Sequence, residues 1–468
     1  MKKFAAVLLS FMLMLTLVGV PAEAQEPTQR VDMSVTAGSH TVDGGKPLLG
    51  TGRLTDNVTS AVLYEYETDT ILYSWNAGIA QDPSSFVKIL TALLAVEKCD
   101  LNAQVTVTKA ALDTVPYGAM AAGLKEGEIL TVRDLLYCML TGSANDAAAV
   151  LAEIAMGSQE AFVAEMNRKA TAIGCNNSVF SNPHGVYDEV QSITARDAAV
   201  LLAAAMKNAA FAEIFCAKSY TIPATNMADS RRLITGNYMI NTSFDASYYD
   251  SRVSGGRTGV ADDGTRCLAT AAQVGDLKLV CIVMGSKSKL NEDGVSVAVY
   301  GGYRETSKLL DAARGFASTK VLYAGQILRQ ISVENGGCDA VLGIEEGALA
   351  VLPETVTQGD LSYRYTDRLD RLEAPLEKGT YISDLQVWYG DVCVAHVPLY
   401  TMNDVMPKQP LSSEDNSQYD GLDLGKILLI MLAAMAVLAV LMGLMVLRSR
   451  KKRRAVAERK AFYRRRSR

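Results

Sequence analysis

Residues 427–447 run for 21 positions without a charge or a proline. At about 1.5 Å per residue, a helix of that length crosses the ~30 Å hydrocarbon core of a bilayer. Directly after it, residues 448–468 hold twelve Lys/Arg against one acid, Glu458, a net +11. Positive residues against one end of a span stay in the cytoplasm, so a single-pass topology is predicted, with the tail inside and the preceding chain outside the cell membrane. The other end agrees. Lys2 and Lys3 precede an apolar stretch over 4–20, and Ala22-Glu23-Ala24 offers an A-x-A cleavage site, so residues 1–24 read as a secretory signal peptide.

What lies between must fold as an exported body. At 468 residues the chain is too long for one ordinary domain. Its net charge of −5 against the tail's +11 leaves −16 on residues 1–447. So acidic a body is unsuited to nucleic acid, whose attraction rests on phosphate neutralisation by Lys and Arg. Eight cysteines occur without a C-x-x-C spacing, and Cys138 and Cys281 sit inside apolar runs, where a small buried hydrophobe is expected. With only His40, His184 and His396, no metal site and no cofactor is predicted.

The patterning divides the chain further. Residues 25–56 are polar and Gly/Thr-rich, an extended lead-in. Residues 60–75 alternate around Val62, Tyr64, Ile71 and Tyr73, with a turn at Glu67-Thr68-Asp69-Thr70, and predict a β-hairpin. A helix apolar on most faces starts at Asp82-Pro83, and further Ala-rich helices fall within 130–155 and over 159–173. Strand patterns at 255–258, 267–274 and 277–283 predict an antiparallel sheet packed with helices, closed by an amphipathic helix over 303–317. From 320 to about 402 only short alternating strands remain. The α+β body is therefore assigned to 57–318, a small all-β domain to 319–406, a stalk to 407–426, one transmembrane helix to 427–447 and a basic tail to 448–468.

Three short pieces carry chemistry. S-x-x-K occurs three times, at Ser85/Lys88, Ser286/Lys289 and Ser449/Lys452, and only the first opens a predicted helix. Spaced i and i+3, Ser85 and Lys88 share one face. The helix N-terminus stabilises an alkoxide and, with burial, disfavours the ammonium form of the lysine. That environment suits a serine nucleophile with a lysine base. Ser143-Ala144-Asn145 falls in a turn between two apolar helices, and Arg257-Thr258-Gly259 lies on a predicted strand after Gly255-Gly256. Alone, the first of these pieces is equally a helix N-cap, and the second a surface strand with an arginine.

In this order the three pieces resemble the S-x-x-K, S-x-N and K-T-G set of the D-alanyl-D-alanine carboxypeptidases, the low-molecular-weight penicillin-binding proteins among the serine peptidases. The similarity runs from about Ser60 to Met402. It includes Ala122-Gly123-Leu124-Lys125-Glu126-Gly127-Glu128, Thr131-Val132-Arg133-Asp134, Asn145-Asp146-Ala147-Ala148, Asn182-Pro183-His184-Gly185 and Thr194-Ala195-Arg196-Asp197. The resemblance implies a penicillin-binding/β-lactamase-like domain followed by a small β-rich domain. It implies a membrane-held, cell-wall hydrolase that takes the terminal D-Ala from peptidoglycan stem peptides and is acylated by β-lactams.

Residue by residue, the resemblance implies that Ser85 attacks the penultimate D-Ala carbonyl and Lys88 takes its proton. Ser143 relays a proton toward the leaving D-Ala, and Asn145 holds the substrate amide. Arg257 and Thr258 hold the terminal carboxylate beside Gly259. The N–H groups of Ser85 and Val260 form an oxyanion hole, and Arg304 matches a family arginine associated with the carboxylate. His184 belongs to a family motif with a structural role. The chain departs at Phe86-Val87, where Met-Thr is usual, and at Arg257, where the family has Lys. Arginine keeps the charge but cannot give up a proton. The alternatives are a β-lactamase, or a penicillin- or wall-peptide-binding sensor with weak turnover.

Overall fold

Period-two alternation of large apolar side chains builds the centre of the molecule. β1 (Ser60–Glu65) and β2 (Thr70–Trp75) form the predicted hairpin. The computed structural model describes residues 46–50, 52–243, 245–290, 297–366, 372–408 and 424–465. The predicted signal peptide and residues 25–45 of the lead-in lie outside them, as do 409–423 of the stalk.

After the hairpin come the helices α1 (Val87–Lys98), α2 (Val132–Leu140), α3 (Asn145–Met156), α4 (Gln159–Ala172), α5 (Ala195–Met206) and α6 (Ala209–Phe215). Strands β3 (Val253–Val260), β4 (Arg266–Val274) and β5 (Leu277–Ser286) complete an antiparallel five-stranded sheet in the order β2-β1-β5-β4-β3, and α7 (Gly301–Ala312) follows. Both faces of this sheet are buried. Val62, Tyr64, Val280 and Ile282 face the cluster formed by α1 to α6, whereas Ala61, Leu63, Leu279 and Cys281 face the one that includes Leu309 and Leu310 of α7. β5 therefore reads as a continuous apolar run. Helix α1 is the hub of the larger cluster: every side chain from Val87 to Ala95 is buried.

Thr131 shows how local chemistry starts these elements. Its hydroxyl accepts the Asp134 N–H while the Asp134 carboxylate accepts the Thr131 N–H, a capping box that begins α2. The N-cap half of this device, Thr194 Oγ1 accepting the Asp197 N–H, begins α5, a helix the apolar periodicity had not brought out.

Two boundaries differ from the sequence reading. Instead of an α-helix from Asp82-Pro83, a single 3-10 turn, Ser84–Phe86, precedes α1, because Ser84 adopts φ +43°. Helix α7 stops at Ala312 rather than 317. Gly315 takes φ +82°, and Phe316–Leu322 (β6) leaves as a strand.

Strands β7 (Ile327–Ile331), β8 (Ala340–Gly343), β9 (Ala348–Pro353), β10 (Leu361–Tyr365), β11 (Tyr381–Tyr389) and β12 (Val392–Thr401) form the β-rich domain. Its five-stranded sheet runs β7-β8-β12-β11-β10, with β6 paired to β9, around a core that includes Leu342, Tyr365, Leu385 and Leu399. Residues 407–468 form a separate unit. It holds α8 (Leu424–Arg465), in which Leu428–Lys451 is long and apolar enough to cross a membrane.

Because α1 is packed on every side, truncation there leaves a void that few neighbours relax into. Leu90→Ala is expected to cost about 2–5 kcal/mol of stability, read from urea unfolding followed by circular dichroism.

Candidate active site

Ser85 sits in the 3-10 turn and Lys88 in the first turn of α1. Lys88 is 2% exposed. Among the described residues no carboxylate pairs with it, and its Nζ donates to the His184 carbonyl. Burial, and after it the charge of Arg257, hold its pKa well below the ordinary lysine value. A neutral amine can donate to His184 and still offer a lone pair. The Ser85 hydroxyl is half-buried, and no described residue hydrogen-bonds it.

The Asn182-Pro183-His184-Gly185 loop keeps this lysine in place. Thr91 Oγ1 donates to the Pro183 carbonyl at 2.7 Å, and the Gly185 N–H donates to Asn182 Oδ1 at 2.7 Å. Gly185 (φ +76°) lies so close to the nucleophile turn that a Cβ there would stand 1.9 Å from the Ser84 carbonyl oxygen. Burial, with Lys88 next in effect, lowers the His184 imidazole to about pKa 4, and its Nδ1 accepts the Val186 N–H. His184 thus contributes a main-chain carbonyl to the site, while its ring stays neutral and structural.

Between α2 and α3 the chain turns through Ser143 at φ +62°. The Ala144 N–H returns to the Cys138 carbonyl, and the Asn145 N–H donates to the Met120 carbonyl at 2.8 Å. Asp146 accepts the N–H groups of Ala122 and Leu124, tying loop 120–124 to the start of α3. Asn145 is buried, and its Oδ1 has no partner among the described residues. An orphaned buried acceptor at the start of α3 invites a substrate N–H.

Arg257 is 5% exposed and reaches across from β3. It donates from Nη1 to the Leu140 carbonyl at 2.7 Å and from Nη2 to Ser143 Oγ, and burial lowers its pKa to about 10. Both of its terminal nitrogens are therefore engaged by the turn that presents Ser143. Ser143 Oγ accepts from a guanidinium, which leaves its own proton to donate.

Gly259 of β3 packs directly on the nucleophile turn: a Cβ there would meet Cys267 Sγ at 2.5 Å and Ser84 Oγ at 3.0 Å. Asp82 clamps the same junction, accepting the Ser84 N–H at 2.8 Å and the Asp262 N–H at 3.0 Å. Thr258 and Gly259 line a small cavity with Arg266, Tyr238, Tyr300 and Tyr303. Arg266, opposite Val260 in the ladder, lies 5.0 Å from the Tyr300 ring centroid. From α7 this cavity takes Gly302 and Tyr303, whereas Arg304 is exposed and outside it.

Ser85, Lys88, Ser143, Asn145, Arg257, Thr258, Gly259 and Val260 are thus borne by one junction of α1, the α2–α3 turn and β3. Two participants had no signal in the sequence. Arg266 is found only through the β3–β4 register, and the closing role of Asp82 only through its two partners.

The D-alanyl-D-alanine carboxypeptidase family pattern matches residues 53–288, just over half of the chain, and the C-terminal domain of penicillin-binding protein 5 matches residues 316–406. D-alanyl-D-alanine carboxypeptidase DacF of Bacillus subtilis is 26% identical over 362 residues, covering 76% of this chain and 87% of that protein. A D-alanyl-D-alanine carboxypeptidase of a Streptomyces species is 32% identical over 245 residues, 50% of this chain and 83% of that protein. Penicillin binding protein 5 of Haemophilus influenzae has a similar structure, with a TM-score of 0.63 and 26% identity, covering 76% of this chain and all of that one. The catalytic order, the sheet and the second domain agree with these likenesses, and the chain belongs to the D-alanyl-D-alanine carboxypeptidase family of serine peptidases.

Proposed function

We propose that this protein is a membrane-anchored serine D-Ala-D-Ala carboxypeptidase that removes the terminal D-Ala of peptidoglycan stem peptides. The observation that carries the reading is Lys88: a buried amine with no counter-charge among the described residues, three positions from a free serine hydroxyl.

Neutral Lys88 takes the Ser85 proton as Oγ attacks the penultimate D-Ala carbonyl carbon. The Ser85 and Val260 N–H groups receive the developing oxyanion, each donor worth about 2.7–4 kcal/mol where such donors have been removed. Ser143 passes the proton from Lys88 to the leaving amine, and the C–N bond breaks. Asn145 aligns the peptide through its orphaned Oδ1. Water, deprotonated by Lys88, then releases the acyl group from Ser85. A β-lactam carbonyl enters by the same first step.

The arrangement divides the work of the two arginines. Arg257 gives one N–H of each terminal nitrogen to Leu140 and Ser143, and its part is to orient Ser143 and to keep Lys88 neutral. The substrate carboxylate meets Thr258 and the cation beside it in the cavity, Arg266. Helix α8 supplies the membrane anchor, with the basic tail on the cytoplasmic side by charge.

The test is labelling with fluorescent penicillin together with D-Ala release from a D-Ala-D-Ala peptide. Ser85→Ala is expected to abolish both, and labelling that survives it sinks the nucleophile assignment. Labelling of the parent without D-Ala release from any stem peptide points to binding without turnover.

Acylation needs neutral Lys88, so its rate falls as pH drops through that group's lowered pKa. Arg257→Gln removes a neighbouring cation, raises the pKa of Lys88 and moves the acid limb of kcat/KM to higher pH. An unmoved limb contradicts the electrostatic part given to Arg257. Arg266→Gln is expected to raise KM about 10-fold or more for a free C-terminal carboxylate and to change little for the C-terminal amide. Equal effects on both peptides dismiss Arg266 as the anchor.

A further inference from the structure

The main-chain edge that should receive the oxyanion is already in use. β3 is the outer strand of its sheet, and among the described residues no strand pairs with its far edge. At Val260 both edge groups meet one side chain: the Val260 N–H donates to Ser84 Oγ at 3.1 Å, and Ser84 Oγ donates to the Val260 carbonyl at 2.8 Å. Ser84 is 6% exposed, so solvent does not compete for this hydroxyl. The contact is held from several sides. Ser84 sits in the left-handed region at φ +43°, where glycine is the unstrained residue. Its N–H is fixed by Asp82, its carbonyl is crowded by Gly185, and its Cβ lies 3.2 Å from the position a Cβ on Gly259 would take.

We propose that the Ser84 hydroxyl occupies the oxyanion donor of Val260 in the resting site and must turn away before a substrate carbonyl can be acylated. Ser84 is thereby a positioning residue that sets the acylation rate of the neighbouring Ser85. The inference rests on the catalytic reading above, in which Val260 is one of the two donors. Displacement falls on acylation alone, because in the acyl-enzyme the ester carbonyl has already taken the N–H. Loss of the hydroxyl therefore speeds acylation and leaves deacylation alone. A neutral hydrogen bond of ordinary net worth corresponds to about a 2- to 10-fold change in rate.

The experiment compares the full-length, detergent-solubilised protein with Ser84→Ala and Ser84→Gly, the glycine variant guarding against misfolding because it adopts φ +43° without strain. Fluorescent penicillin gives the second-order acylation constant and, after removal of free label, the lifetime of the acyl-enzyme. The expected result is acylation about 2- to 10-fold faster in both variants, with the lifetime within about 2-fold of the parent. Acylation unchanged or slower in folded variants overturns the proposal, as does a lifetime that shortens in step with acylation, since general loosening of the site moves both. Failure of the catalytic reading looks different: the parent itself then takes no label at Ser85.

Discussion

The catalytic half depends on a helix whose first nine residues are all buried and which still begins at a polar site. Burying Val87 to Ala95 on every face makes α1 the centre of the larger core. It also carries Lys88 away from water, where an ammonium ion is disfavoured. A lysine on a surface helix would be charged and useless as a base at neutral pH. Here the packing that stabilises the fold keeps the amine neutral and its lone pair free, and no carboxylate among the described residues undoes it.

Such a site has to be closed by main-chain groups, because ionised partners would restore the charge. The His184 carbonyl accepts the one hydrogen bond that Lys88 Nζ makes among the described residues, and it is in place because Thr91 and Asn182 fix the loop on either side of it. On the opposite flank Asp82 spends its two oxygens on the N–H groups of Ser84 and Asp262, joining the nucleophile turn to the end of β3. These contacts explain why two glycines are required at the junction. At Gly185 and Gly259 a Cβ would collide with Ser84 or Cys267. Backbone therefore approaches backbone closely enough for the hydroxyl of Ser84 to bridge both polar groups of Val260.

Much of this was legible in the sequence, and for physical reasons. Val62, Tyr64, Ile71 and Tyr73 on either side of a polar turn showed the hairpin, although both faces of the sheet are buried and Tyr73 packs in the other cluster from Ile71. The Ser85/Lys88 pair stood out because only that S-x-x-K lay where a helix begins. What stayed hidden was set by contacts between distant segments. The turn at Ser84 is fixed by Asp82, Val260 and Gly185, so the Asp82-Pro83 signal found the helix but set its start too early and missed the 3-10 turn. Arg304 follows from resemblance along α7, whereas the cavity is lined from that helix by Gly302 and Tyr303 and from across the β3–β4 hairpin by Arg266. Register decides that pairing, and no local pattern encodes it.

Arg257 is where sequence and structure sharpen one another most. A lysine at this place would be a second buried amine near the first, and each would lower the other's pKa, so the two would share charge between them. A guanidinium titrates far above the working range even when burial brings it to about 10, so one site keeps the charge and Lys88 stays neutral. Its planar fork also reaches two acceptors at once, the Leu140 carbonyl and Ser143 Oγ, which a single ammonium holds less rigidly. The arrangement has a cost: Arg257 Nε is buried without a partner among the described residues, an unmade bond worth about 1–3 kcal/mol. The arginine thus costs some stability and gives a fixed Ser143 beside a reliably neutral base.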